Sequence, residues 1–168
     1  MSYNDLRKGR FSEAGREYFI TMVVHGRQKV FADFYAARLF IREAIRIEEE
    51  NTGQWIAWVL MPDHFHGMFS LSEENSLSKI IGLLKGRSGR ILNTYLNSHG
   101  KFWQTGFYDH ALRQEEDRKE LARYIVANPL RAGLVEDILD YPHWDAIWMP
   151  CVDFHFIKTI ITSLFETV

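Results

Sequence analysis

Two strand-like runs, "GQWIAWVL" (53–60) and "HFHGMFSL" (64–71), are separated by only "MPD". Both are dense in aromatic and aliphatic residues, the composition of a pleated, half-buried surface. A connection this short favours antiparallel pairing, because a parallel crossover needs a dozen residues or more. A β-hairpin is therefore expected near the middle of the chain. In a strand, residues i and i+2 share a face. His64 and His66 then stand together on one face, with Phe65 turned into the core behind them. Two neighbouring imidazoles pack poorly but make good ligands for one cation, each through a neutral ring nitrogen. Spacing alone leaves a plainer alternative open, in which either ring caps the hairpin or faces water.

The flanking segments predict how this hairpin is completed. "EYFITMVVH" (17–25) suits a first strand, and "GRQK" after it offers a turn. From Asp33 to Glu50, Phe34, Ala37, Phe40, Ile41, Ala44 and Ile45 recur at helical spacing, with Asp33 as N-cap. Ser76 opens another helix whose apolar positions are Leu77, Ile80, Leu83, Leu84, Ile91, Leu92 and Tyr95. Gly82, Gly86 and Gly89 weaken that helix and permit close backbone approach. "FWQTGFYDHAL" (102–112) reads as a fourth strand kinked near Gly106. Glu115, Glu116, Asp117 and Glu120 suit the first turns of a last helix. That helix is expected to run to about Asn128, since Pro129 disfavours helical backbone in the residue before it. The order β-α-β-β-α-β-α predicts an α+β, ferredoxin-like antiparallel sheet covered by helices. At 168 residues, one domain spanning 1–168 is expected, with a C-terminal extension from about 146. The apolar "FIKTIITSLF" within that extension suits a terminal helix, packed on the body or used for self-association.

Hydrophobic content of 46% with 25% charged residues fits a globular protein, and no apolar run is long enough to cross a bilayer. The opening "MSYNDLRKGR" lacks the apolar core of a signal peptide. A single Cys151 excludes an internal disulfide and a cysteine zinc cage, so a reducing, cytoplasmic setting without a membrane partner is expected. Net charge is −2, but the charges are segregated. Ser76 to Tyr108 holds no acidic residue, yet carries Lys79, Lys85, Arg87, Arg90 and Lys101. Arg7, Lys8 and Arg10 add a basic N-terminal arm. Such segregation gives either a positive, nucleic-acid-binding face or merely solvated helix surfaces.

In "ELARYIVANPLRAGLV", Tyr124 and Asn128 are four apart and share a helix face, with Leu121 and Ile125 as anchors. Taken alone, the pair reads as a half-buried aromatic beside a polar helix end. Beside two histidines, the Asn128 amide oxygen could complete a three-ligand site.

The blocks "REYFITMVVHGRQKVF", "WVLMPDHFHGMFSL", "LLKGRSGRILN", "KFWQTGFYDHALRQEED" and "YIVANPLRAGLVED" fall in order between about residues 7 and 145. In this the chain resembles the single-tyrosine HUH transposases (His, hydrophobic residue, His), and most closely the REP-associated tyrosine transposases. The resemblance implies that His64 and His66 hold a divalent cation, Mg²⁺ or Mn²⁺, and that Tyr124 is the nucleophile. It places Asn128 at the third ligand position, where related transposases often carry a glutamine one methylene longer. It implies a metal-dependent endonuclease and strand transferase that cuts single-stranded DNA beside hairpin repeats through a 5′-phosphotyrosine. A covalent intermediate conserves the phosphodiester energy for rejoining. No general base is identified, His110 being a weaker guess. On the same resemblance, Lys85, Arg87 and Arg90 contact phosphates, Trp103 or Phe102 stacks on an unpaired base, and Arg7, Lys8 and Arg10 reach guide bases. For Trp103, core packing competes with stacking. His25, His99, His143 and His155 match no site pattern and are expected at the surface or in packing. Monomer and homodimer both stay open, as does whether Tyr124 serves its own site or a partner's. Two rival functions remain at this stage: a hairpin-binding module that no longer cuts, and a metal-dependent hydrolase using water.

Overall fold

The computed structural model describes residues 15–50, 52–72, 76–113 and 117–148. Arg7, Lys8, Arg10, Glu115, Glu116, Cys151, His155 and nearly all of the C-terminal extension lie outside the described residues. The chain forms β1 (Glu17–Val23), α1 (Phe34–Glu49), β2 (Gly53–Met61), β3 (His64–Leu71), α2 (Leu77–Tyr95), β4 (Tyr108–Ala111), α3 (Arg118–Val126), α4 (Asn128–Arg131) and β5 (Trp144–Ala146). One antiparallel sheet runs β4-β1-β3-β2-β5. Its first four strands follow the expected βαββαβ arrangement, so the ferredoxin-like α+β reading holds. β5, a short edge strand beside β2, has no clear sequence signal and was not anticipated.

The sheet separates two cores. On one face α1 and α2 bury Phe40, Ile47, Ile80 and Leu84 against Ile20, Met22, Phe65 and Phe69. On the other, Ala122 and Ile125 of α3 pack against Ile56, Val59, Met61 and Met68. Strict alternation along β2 fails at one point. A bulge between Trp55 and Ala57 lets the consecutive Ile56 and Ala57 both join the α3-side core. The α1-side core constrains β3 as well. Gly67 has no room for a side chain, since an added Cβ would lie 2.6 Å from the Trp55 ring and 2.8 Å from the Phe65 ring.

Local signals placed the starts of α1 and α2, while α3 begins at Arg118, after most of the acids expected in its first turns. Asp33 accepts from the Ala36 N–H and Ser76 from the Lys79 N–H, while Asp117 caps α3 through the Lys119 and Glu120 N–H groups. The apolar faces differ from expectation in detail. Phe34, Ile45, Leu83 and Tyr95 are exposed, and Ala36 and Ile47 take the buried positions on α1. Of the α2 glycines, Gly89 packs close to Phe102, whereas Gly82 and Gly86 face open space.

The expected strand 102–112 is interrupted. Trp103 makes a lone bridge to Val24, and regular pairing begins only at Tyr108. Gly106, at φ 77°, turns the chain between them. The Lys85 ammonium secures this turn, donating to the carbonyls of Gln104 (2.7 Å) and Gly106. The last helix also departs from expectation. α3 ends at Val126, and Pro129 sits in the first turn of α4, where its missing N–H costs nothing.

Candidate active site

The hairpin turn Pro62–Asp63 delivers His64 and His66 onto the α3 side of the sheet. Their ring centroids are 4.6 Å apart and nearly perpendicular. Each ring is held from behind. His64 Nδ1 lies 2.6 Å from Asp63 Oδ1, and Asp63 Oδ2 lies 3.1 Å from an Arg27 guanidinium nitrogen. His66 Nδ1 lies 2.8 Å from Thr21 Oγ1, its partner residue across β1. The Phe19 ring stacks on His66 at 5.5 Å.

These contacts suit imidazoles that act as ligands: a ring protonated at Nδ1, donating to Asp63 or to the Thr21 hydroxyl, leaves its Nε2 with a lone pair for an electrophile. Burial, reinforced by repulsion from His64 and opposed by Asp63, pushes His66 down to about 4, so it is neutral at physiological pH. Burial raises the Asp63 carboxyl, but its bonds to His64 and Arg27 outweigh that and hold it below the usual range. Asp63 is thus an anionic orienting group behind His64. Sequence reading treated "MPD" only as a connection and overlooked Thr21. The motif places a carboxylate directly before the first histidine, which was a usable signal; the Thr21 contact depends on strand register. Among the described residues no group of three or more His, Cys, Asp and Glu side chains is gathered for a metal.

Asn128 sits at the α3–α4 junction. Its amide nitrogen donates to the carbonyls of Tyr124 (3.0 Å) and Ile125 (2.9 Å), satisfying acceptors that a helix end leaves open. Its Oδ1 is the atom of that amide with electron pairs to offer a cation. Tyr124 is 47% exposed, and the Arg131 guanidinium lies 4.3 Å from its ring centroid. Two other tyrosines share this side. Tyr141 is buried, donates to the Leu60 carbonyl at 2.7 Å and is pushed up by burial to about 12, which disqualifies it as a nucleophile. Tyr108, exposed on β4 opposite Thr21, is the competing hydroxyl. His110 shares the face, across β1 from Met68 with Phe19 between.

The nucleic-acid assignments fare unevenly. Trp103 is 6% exposed, its ring lies among Phe31, Phe40 and Phe102, and its Nε1 donates to the buried Ser88 hydroxyl at 3.0 Å. The stacking role is corrected to core packing, because neighbouring rings crowd the indole; Phe102 is buried beside it. Lys85 serves the 104–106 turn, and Arg87 pairs with Glu50 at 2.7 Å. Arg90 is exposed on α2. All three ride on the helix layer opposite the face of His66 and α3, so the sheet stands between them and Tyr124. His25 and His99 are exposed and His143 is buried, as expected of residues outside the site.

A family model described as "Transposase IS200 like" matches residues 14–128. The chain belongs to the IS200-like transposase family. Among curated relatives of this transposase, the REP-associated tyrosine transposase of Escherichia coli K12 is 23% identical over 134 residues, 79% of this chain and 76% of that protein. A Haemophilus influenzae protein provisionally given the same name is 29% identical over 140 residues, 77% and 78% of the two chains. A solved REP-associated tyrosine transposase bound to a REP hairpin has the same fold, with a TM-score of 0.70 and 23% identity over 86% of this chain and 82% of that one. Among the described residues no helix of the transposase is long and apolar enough to cross a membrane.

Proposed function

We propose that this transposase cuts and rejoins single-stranded DNA beside hairpins of the repetitive-palindrome type, using Tyr124 as nucleophile. The observation that carries this reading is the pair of imidazoles 4.6 Å apart, each tied through Nδ1, on the sheet face crossed by the helix bearing an exposed tyrosine. Two imidazoles held through Nδ1, and an amide oxygen at Asn128, fit a divalent cation such as Mg²⁺ or Mn²⁺. When bound, such an ion supplies Lewis acidity to phosphate oxygens.

The protein's own groups carry the remaining work. The Tyr124 phenolic oxygen bonds to phosphorus as the P–O3′ bond breaks; the phenol proton passes to solvent and the departing 3′ oxygen regains one. Attack by a strand 3′-hydroxyl reverses these changes and restores a phosphodiester without an external energy source. Asp63 and Thr21 hold the two imidazoles in their ligating tautomers. Arg90, and Arg87 by exchanging Glu50 for a phosphate, are assigned to hairpin backbone contacts outside the cutting site, and the basic arm of Arg7, Lys8 and Arg10 to guide bases. Support for the hairpin class comes from the relatives' names and the hairpin-bound neighbour.

The test is incubation with labelled single-stranded hairpin oligonucleotides and Mg²⁺ or Mn²⁺, followed by denaturing electrophoresis. A protein–DNA adduct is expected from the wild type and Tyr108→Phe, and none from Tyr124→Phe or His64→Ala. An adduct retained in Tyr124→Phe but lost in Tyr108→Phe would move the nucleophile to β4. Cutting without any adduct would mean water attacks. Tight binding without cutting, across several repeat sequences, would mark a binding module.

A further inference from the structure

Arg131 is seven residues beyond Tyr124 and belongs to a different helix, yet its guanidinium carbon lies 4.3 Å from the Tyr124 ring centroid. The intervening chain holds it there. The Asn128 amide ties α4 to the Tyr124 and Ile125 carbonyls, and the Arg131 N–H bonds to the Ala127 carbonyl at 3.1 Å. Pro129, buried in the same turn, fixes its own φ. Tyr124 itself is 47% exposed, so packing alone does not define its ring orientation. An exposed nucleophile free to swing would reach phosphorus in few of its conformations. A guanidinium can settle on a ring through its face while its five N–H donors, lying in the plane, remain able to grip a phosphate.

We propose that Arg131 aligns the two reacting partners, holding the Tyr124 ring by cation–π contact and a non-bridging oxygen of the attacked phosphate through its N–H groups. The proposal rests on Tyr124 being the nucleophile. After cleavage the same donors face the phosphotyrosine, ready for the rejoining step. Lysine can supply charge over the ring but not the planar fork, and methionine retains only the apolar stem.

The experiment compares wild type, Arg131→Lys and Arg131→Met by single-turnover adduct formation on a hairpin oligonucleotide in Mn²⁺. Binding of the uncut hairpin is measured in parallel on the Tyr124→Phe background. Loss of a donor aimed at the reacting phosphate costs on the order of 100-fold in rate. About that loss is expected for Arg131→Met and roughly 10-fold for Arg131→Lys, with hairpin affinity within about threefold of its parent in both. The split between rate and affinity, together with partial rescue by lysine, is what a merely structural contact would not produce. Rates within threefold of wild type in Arg131→Met would overturn the proposal, as would equal losses in rate and affinity. A wild type that forms its adduct while Arg131→Met matches it refutes Arg131 alone; a wild type whose adduct survives Tyr124→Phe refutes the underlying reading as well.

Discussion

Replacing Asp63 by asparagine tests the imidazole clasp at its support. Asp63 Oδ1 accepts from His64 Nδ1 at 2.6 Å, and its side chain is 18% exposed, so water screens the contact only in part. Asparagine preserves size and can still accept through its amide oxygen, but without charge. Hydrogen bonds to charged groups contribute about 1.5–3 kcal/mol and neutral ones about 0.5–1.5 kcal/mol. The difference, roughly 1–1.5 kcal/mol, corresponds to about 5- to 12-fold in affinity for an ion that depends on the His64 tautomer. That just reaches the bottom of the roughly 10- to 100-fold seen when an outer partner of a metal-bound histidine is mutated, as suits a substitution that keeps a neutral acceptor in place. Arg27, with 65% of its side chain exposed, is the internal control. Its ion pair with Asp63 is largely solvated, so Arg27→Gln is expected to change affinity less than about threefold. The assay is calorimetric titration of Mn²⁺ into the apo protein, with His64→Ala as the null. Mn²⁺ affinity within twofold of wild type in Asp63→Asn, alongside abolished binding in His64→Ala, would refute the orienting role.

Other perturbations address the scaffold. Gly67→Ala would force a Cβ to within 2.6 Å of the Trp55 ring, so a loss of about 1–3 kcal/mol is expected from the urea midpoint; an unchanged midpoint would mean the rings move aside freely. Trp103→Ala should cost about 3–5 kcal/mol, while Trp103→Phe, being milder, should leave hairpin affinity of the folded protein unchanged. A selective loss of DNA binding in Trp103→Phe would reinstate stacking. His66 and His143 are both held below their ordinary value, His143 first by burial and then by the Arg38 charge. An unfolded chain protonates both before the folded one does. Stability of the apo protein is therefore full above about pH 6.5 and declines as pH falls toward 4. Urea unfolding at pH 7.5, 6.0 and 5.0 checks the sign, and stability rising with acidity across that range would contradict it.

Much of the architecture was legible because local rules coincide with the tertiary outcome. The short link between β2 and β3 enforced a hairpin, and the period of two put His64 and His66 on one face. Side-chain caps at Asp33 and Ser76 marked helix starts through hydrogen bonds made within a few residues, whereas Asp117, read as an acid of the first turn, is the cap of α3. Tyr124 and Asn128 were visible as an i, i+4 pair. Less legible were features set by distant partners. The basic stretch containing Lys85, Arg87 and Arg90 looked like one phosphate-binding surface, but Lys85 holds a turn and Arg87 meets Glu50. Trp103 has the composition of a stacking residue and the burial of a core residue, and composition does not distinguish them.

By itself the sequence determined the hairpin, the shared face of the histidines, the helix starts and the family likeness. All of these follow from periodicity, capping and motif spacing, which act over a few residues. Only the tertiary structure decided which side of the sheet each helix covers, and so which cations lie far from Tyr124. It also decided that Thr21 and Asp63 support the imidazoles, and that a turn after α3 returns Arg131 to the tyrosine ring. The contact of Thr21 with His66, 45 residues apart, exists because strand register brings them together, and no local pattern in either segment encodes that register alone.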